Sequence, residues 1–94
     1  MARPCKDRNI EKEPCYTCFK PSKAKDDIEK IHLRLDEYEA IRLLNLEEVS
    51  NIDGAKKMGI SGPTFNRLTK SAHKKLTDAI VNGKCIYITC DKQK

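Results

Sequence analysis

The sequence has no apolar run that approaches the length of a membrane span, and its basic, interrupted N-terminus lacks the apolar core of a secretory signal. Both absences predict a cytoplasmic protein. The chain also lacks a phosphate-binding glycine loop, a serine or cysteine nucleophile with a histidine partner in sequence, and a helix that pairs carboxylates on one buried face. An enzyme is therefore not expected.

The length and composition fit one small domain. The 94 residues are 38% apolar and 35% charged, which provides a modest hydrophobic core but not a deep one. Five cysteines in a cytoplasmic protein predict thiols or metal ligands rather than a disulfide framework, and the odd number points the same way.

The charges are unevenly distributed along the chain. The total is +5, yet residues 29–53 contain three Lys or Arg and seven Asp or Glu, whereas residues 54–84 contain seven Lys or Arg and one acid, Asp78. This separation is typical of a protein that has a polyanion-binding surface and an opposed acidic face.

Residues 51–70 predict a helix-turn-helix, around which the rest of the chain is organised. Their apolar spacing suits two short helices that cross steeply through a short turn, with Ala55 at the point of closest approach. Gly59 is suited to end the first helix in a left-handed conformation. Ser61 is predicted to cap the next helix, whose first turn tolerates Pro63. A helical hairpin used only for packing is the alternative interpretation.

The other helix boundaries are predicted from capping residues. Asp36 is expected to cap a first helix, with Glu39 completing a capping box, and this helix continues through Leu46 or the residue after it. The helix that starts at Ser61 carries an apolar stripe well beyond the turn and is expected to stop at Gly83.

Two half-buried strands bracket these helices, one over residues 28–35 and one over residues 84–89. A two-stranded ribbon is marginal alone, so the strands are expected to pair with each other against the helices or across a dimer. The predicted fold is mainly α: a three-helix helix-turn-helix core bracketed by a short N-terminal and a short C-terminal β-strand, which form a minor sheet. Residues 1–27 are expected to form a basic arm with Cys and Pro, and residues 28–94 the helix-turn-helix domain.

The helix that begins at Ser61 is predicted to read the major groove of double-stranded DNA. Asn66 can bond an adenine edge in two places, and Arg67 a guanine edge likewise. The lysines around this helix suit phosphates, which anchor a protein without selecting sequence, and a basic arm can reach a minor groove. The remaining predicted contacts are Ser61, Gly62, Pro63, Thr64, Lys70, Lys56, Lys57, Lys74, Lys75 and Arg3. The alternatives are a salt bridge between Arg67 and a surface acid, a solvated lysine face and a solvated arm.

The segment Cys15-Tyr16-Thr17-Cys18 has the C-x-x-C spacing that lets two thiolates bind one tetrahedral zinc ion. A four-cysteine site needs two more ligands, for which Cys5 in the arm and Cys90 near the C-terminus are the candidates. Cys85 is less favoured because it flanks the expected sheet packing. Residues 85 and 90 point to opposite faces of a strand, so both can bind the ion only if the strand ends before Cys90. An iron–sulfur cluster, a redox switch and unligated thiols are the alternatives to zinc.

Several segments together are characteristic of one family of small prokaryotic proteins. They are Arg3-Pro4, Pro14, Phe19-Lys20-Pro21, Asp36-Glu37-Tyr38-Glu39-Ala40-Ile41-Arg42-Leu43, Ala55-Lys56-Lys57-Met58-Gly59-Ile60-Ser61, Thr64-Phe65 with Arg67, Ala72 with Lys74-Lys75, and Gly83-Lys84 followed by Ile86. Through them the chain resembles domain of unknown function 134, also called uncharacterised protein family 0251. The resemblance implies a helix-turn-helix similar to the DNA-reading fourth region of bacterial sigma factors, and a role in transcription regulation. Gly62 and His73 depart from the family, which often has arginine at both positions.

Two functions are compatible with these features. The first is a sequence-specific DNA-binding protein that regulates transcription. The alternative is a metal- or redox-responsive protein-interaction module that does not read DNA. Linked half-sites would raise DNA affinity, which favours a homodimer, although no heptad repeat or large apolar helix face in the sequence marks its interface.

Overall fold

Three helices and a three-stranded sheet make up the described part of the chain, which comprises residues 10, 14, 16–23 and 27–89 of a computed structural model. The elements in chain order are β1 (Cys18–Phe19), β2 (Lys30–Arg34), α1 (Leu35–Ile41, extended by a π-helical turn at Arg42–Leu46), α2 (Asn51–Met58), α3 (Gly62–Asn82) and β3 (Cys85–Thr89). The prediction of a mainly α fold with a minor sheet is confirmed. Among these described residues, no helix is both long enough and apolar enough to cross a membrane.

The sheet has the strand order β1-β3-β2. Strands β2 and β3 run parallel, with Leu33 beside Ile88, so of the two expected pairings of the bracketing strands, with each other or across a dimer, the structure shows the first. Strand β1 was not predicted and pairs antiparallel with β3, Cys18 lying opposite Tyr87. Two residues are too few to show an alternating apolar pattern, and only pairing with a distant strand makes them extended.

The start of α1 differs from the prediction. The helix begins at Leu35, directly after β2, and the backbone N–H of Arg34 donates to Oε1 of Glu37 over 2.8 Å. The predicted capping box of Asp36 and Glu39 is therefore wrong. Strand β2 turns straight into the helix, which puts Asp36 inside its first turn and carries Glu39 into the protein interior.

The end of α1 widens into a π-helical turn at Arg42–Leu46, after which the chain leaves the helix as predicted. The buried guanidinium of Arg42 donates from Nε and Nη2 to the two carboxylate oxygens of Glu39, each over 2.9 Å. Its Nη1 donates to Oε2 of Glu47 over 3.0 Å. These charge-assisted hydrogen bonds tie the π-helical turn to the regular part of α1.

The α2–α3 corner forms as the sequence predicts. Gly59 ends α2 with a φ of 69°, the left-handed conformation that glycine adopts without steric cost. Ser61 then caps α3, its Oγ accepting a hydrogen bond of 3.2 Å from the backbone N–H of Thr64. Pro63 lies in the first turn of α3, and Gly83 ends that helix in the same left-handed conformation as Gly59.

The α2–α3 corner packs on α1 through one apolar cluster, and the sheet packs on α1 and α3 through a second. The buried members are Ala40, Leu43, Ala55, Met58, Phe65 and Leu68 in the first and Leu33, Ala72 and Ile88 in the second. Ala55 is buried, but the tightest approach lies one residue earlier. A Cβ on Gly54 would stand 2.4 Å from Cζ of Phe65, so the ring occupies the space that any side chain at position 54 would need.

Candidate nucleic-acid interface

A basic stripe follows the solvent side of α3. Arg67, Lys70 and Lys74 are all exposed, and their spacing of three and four residues aligns them along one side of the helix. The opposite side of α3 carries the buried Phe65 and Ala72. The apolar contacts of α3 thus fix its rotation, and this rotation turns the three cations toward solvent.

Two more cations lie where α2 meets α3. Lys56 and Lys57 are exposed on the last turn of α2, just before the turn at Gly59. Gly62 and Pro63 follow on the exposed first turn of α3, where side-chain bulk is small. The sequence has no Asp or Glu from residue 54 to residue 77, so this corner contributes positive charge without an acid of its own.

A short chain of hydrogen bonds orients Arg67. The hydroxyl of Ser61 donates to Oγ1 of Thr64 over 2.9 Å, and Nη2 of Arg67 donates to the same Oγ1 over 3.2 Å. Within the described residues Arg67 therefore has a hydroxyl partner rather than the surface acid considered as an alternative. The role of Thr64 in holding Arg67 went unpredicted, although their spacing of three residues on a helix is a usable signal.

Lys75 is held away from the basic stripe. Its Nζ donates to Oε1 of Glu37 over 2.7 Å and to the backbone carbonyl of His32 over 2.9 Å. Burial alone would raise the pKa of the Glu37 carboxyl, but hydrogen bonds from Lys75, from Ser71 and from the backbone of Arg34 outweigh it and hold the pKa below its ordinary value. Lys75 thus joins α3 to α1 and β2, and its ammonium is hydrogen-bonded within the protein.

Only some of the acids in the acid-rich segment before residue 54 lie on the surface of the protein. Asp36, Glu37 and Glu39 are buried, with exposed fractions of 8%, 1% and 0%. Glu37 and Glu39 bind cations of the fold, Lys75 and Arg42. The expected opposed acidic face is therefore smaller than the charge count indicated, because three of its acids serve internal contacts.

The cysteines are only partly covered by the described residues. Cys18 is exposed on β1 and Cys85 is buried on β3. A hydrogen bond with Cys18 raises the pKa of the Tyr87 hydroxyl. Cys5, Cys15 and Cys90 lie outside the described residues, as does Arg3 of the predicted DNA contacts. Among the residues that are described, no group of three or more His, Cys, Asp or Glu side chains could hold a metal ion, and the zinc site stays a prediction.

The chain belongs to the family described as "Protein of unknown function DUF134", whose model matches residues 1–93. The family resemblance read from the sequence is thereby confirmed.

Curated relatives agree with this membership. The chain is 41% identical over 90 residues to a UPF0251 protein of Pelotomaculum thermopropionicum, which covers 95% of this chain and 68% of that relative. It is 44% identical over 87 residues to a UPF0251 protein of Chlorobaculum tepidum, covering 92% and 57%, and 43% identical over 89 residues to one of Moorella thermoacetica, covering 94% and 60%. The chain thus spans 57% to 68% of the length of these three relatives. No solved structure matches it significantly.

Proposed function

We propose that this protein is a sequence-specific DNA-binding regulator of transcription in which the α2–α3 corner acts as a helix-turn-helix. The observation that carries the proposal is the exposed cationic surface around the first half of α3. Five cations contribute to it: Lys56, Lys57, Arg67, Lys70 and Lys74. A DNA duplex has a high density of negative charge, and its major groove admits an α-helix with an exposed cationic side.

The base-reading roles fall to Asn66 and Arg67. Thr64 holds one end of the Arg67 guanidinium, which reduces the side-chain entropy that binding would otherwise remove. A guanidinium held in this way pairs with the O6 and N7 acceptors of guanine, and the exposed amide of Asn66 pairs with adenine.

The anchoring roles fall to the lysines and to the small first turn. Lys56, Lys57, Lys70 and Lys74 neutralise phosphates, which fixes the position of the protein on the duplex without selecting sequence. Gly62 and Pro63, with Ser61, let the backbone of α3 approach the groove closely. Lys75 takes no part in this proposal because Glu37 binds its ammonium. Arg3 remains a predicted minor-groove contact of the arm.

The direct experiment is selection of bound duplexes from a random pool, followed by competition measurements on the selected site. Arg67→Ala should lose about 1–3 kcal/mol of discrimination at one base pair while binding other sequences nearly as before. Lys74→Ala is the matched control on the same stripe and should weaken binding to all sequences by the same factor. Selection that yields no preferred sequence would contradict the proposal, and equal effects of the two variants would contradict base reading by Arg67.

A further inference from the structure

The solvent side of α3 begins with an uncharged ring, that of Pro63. This exposed residue lies four positions before Arg67, so the two side chains are neighbours on one side of the helix. Lys70 and Lys74 continue the same side. The row that carries the proposed base-reading arginine therefore starts with a side chain that has neither a charge nor a hydrogen-bonding group.

The polar groups of the first turn of α3 are already hydrogen-bonded within the protein. Pro63 has no backbone N–H. The N–H of Thr64 donates to Oγ of Ser61 over 3.2 Å, and that of Phe65 donates to the carbonyl of Ser61 over 3.0 Å. The hydroxyl of Ser61 and Nη2 of Arg67 both donate to Oγ1 of Thr64. From Pro63 onward, the first turn thus offers a ligand mainly the apolar ring.

The ring of Pro63 has room for a partner. Apart from the two chain neighbours of Gly62, a Cβ on that glycine would meet no atom within 4 Å, and neither apolar cluster of the described core includes Pro63. A single exposed apolar residue is common on a protein surface. The position of this one beside Arg67 decides what it would meet in a DNA complex.

The C5-methyl of thymine is the apolar group that base edges present in the major groove. A contact between this methyl and the ring of Pro63 removes apolar surface of both from water. A base donor or acceptor against the ring would instead lose water without gaining a hydrogen bond. Side chains four residues apart on a helix have Cβ atoms about 5–6 Å apart, which corresponds to about one to two base pairs stacked at about 3.4 Å.

We infer that Pro63 determines specificity by contacting the C5-methyl of a thymine within about two base pairs of the guanine that Arg67 binds. The inference rests on the proposed DNA-binding function and names a base that this function leaves open. The hydrogen bond from Arg67 to Thr64 keeps the guanidinium close to the first turn, so the two contacts fall on nearby base pairs. One buried methyl group corresponds to about a fourfold difference in affinity.

The test uses the full chain and the selected duplex, with each thymine near the guanine replaced in turn by deoxyuridine. Arg67→Ala identifies the guanine, because discrimination at that base pair is lost. Deoxyuridine keeps every hydrogen-bonding group of thymine and lacks only the methyl, so wild type should bind about three- to fivefold more weakly at one position, measured by fluorescence anisotropy. Pro63→Ala removes most of the ring and should bind both duplexes equally. Thr64→Ser is the matched control: it removes the other methyl of the first turn, keeps the hydroxyl that binds Arg67, and should keep the wild-type ratio.

Each comparison is a ratio of two affinities of one protein, so a variant that is less stable or binds more weakly overall still gives a result. A selected site without thymine near the guanine, or equal wild-type affinity for thymine and deoxyuridine at every position, would overturn the inference and leave the proposed function standing. A deoxyuridine effect that persists in Pro63→Ala, or one that disappears in Thr64→Ser, would also overturn it. Selection without any preferred sequence would remove the proposed function and the inference together.

Discussion

At the scale of single residues, two adjacent lysines of α3 have different roles. Lys74 is exposed on the basic stripe, whereas the ammonium of Lys75 binds the buried carboxylate of Glu37 and the carbonyl of His32. The difference arises from the helical period, since successive side chains of a helix point about 100° apart. One lysine therefore faces solvent and the other faces α1.

We expect opposite consequences for stability and for DNA binding when each of these lysines is removed. Lys75→Ala should lower the free energy of unfolding by about 2 kcal/mol, because the buried carboxylate loses its cation. Lys74→Ala should change that free energy by no more than about 0.5 kcal/mol, yet should weaken DNA binding more than Lys75→Ala does. Urea unfolding and fluorescence anisotropy measure the two quantities. A Lys75→Ala protein as stable as wild type would show that the contact with Glu37 contributes nothing.

Replacing Gly62 by arginine is expected to strengthen DNA binding. The family often has arginine at this position, and apart from the two chain neighbours of Gly62 a Cβ there would meet no atom within 4 Å. Gly62→Arg should therefore leave the fold intact and add a sixth cation at the start of α3. If this cation meets a phosphate, the slope of log K against log salt should steepen by about one. An unchanged slope would mean that the first turn of α3 lies away from the duplex.

At the scale of whole elements, α1 and α3 are joined by a charged contact as well as by apolar packing. Glu37 of α1 accepts hydrogen bonds from Lys75 and Ser71 of α3 and from the backbone of Arg34 at the end of β2. Three elements thus meet at one buried carboxylate. Its ionisation should couple the stability of the whole helical unit to pH.

The direction of this coupling follows from the lowered pKa of Glu37. Its pKa in the folded protein lies below the ordinary value of 4.5, so the ionised carboxylate stabilises the fold above that pH, and the contribution is lost as the pH falls through the folded value. Glu37→Gln should therefore destabilise the protein at pH 7 and flatten its loss of stability in acid. Glu48→Gln, which alters an exposed acid, is the control for urea unfolding at several pH values. Equal acid sensitivity in Glu37→Gln and wild type would contradict this role.

The contact between α2 and α3 requires glycine at position 54, because the ring of Phe65 occupies the space that a side chain there would need. Gly54→Ala should lower the free energy of unfolding by about 1–3 kcal/mol, because the new Cβ would overlap the ring of Phe65 in a packed core. Gly62→Ala is the matched control, since Gly62 is also helical and no atom beyond its chain neighbours lies within 4 Å of the position of its Cβ, and it should cost less than Gly54→Ala. Similar free energies of unfolding for the two variants would show that α2 and α3 can move apart at position 54 without loss of stability.

Local chemistry explains which elements could be predicted from the sequence. Gly59, Ser61 and Gly83 fix the ends of α2 and α3 through backbone conformation and capping, which depend on a few neighbouring residues. The start of α1 and the strand β1 were missed because partners distant in sequence decide them. Strand β1 forms because it pairs with β3. The carboxylate of Glu37 accepts a hydrogen bond from Lys75, which lies 38 residues further along the chain.

The same distinction applies to the candidate site. Exposure of Arg67, Lys70 and Lys74 follows from the apolar stripe on the other side of α3 and could be predicted. The removal of Lys75 from that surface could not, because it requires knowing that α1 lies beside α3 with Glu37 turned inward. The tight contact at Gly54 had a weaker signal, namely a glycine inside a helical pattern.

At the scale of the whole molecule, α3 connects every part of the proposed mechanism. Its solvent side carries Arg67, Lys70 and Lys74 of the cationic surface, and its opposite side packs on α1 and the sheet. The buried acids of α1 are neutralised internally, which leaves the net charge of +5 weighted toward the α2–α3 corner.

The salt dependence of binding to a selected duplex tests the central claim, that the α2–α3 corner binds DNA through its cations, most directly. Contact of the four exposed lysines, Lys56, Lys57, Lys70 and Lys74, with phosphates predicts a slope of log K against log salt of about −3 to −4. Preference for the selected sequence over random competitor should persist along this line, and Lys74→Ala should reduce the slope by about one. A slope near zero, or equal affinity for selected and random duplexes, would contradict sequence-specific binding by this surface.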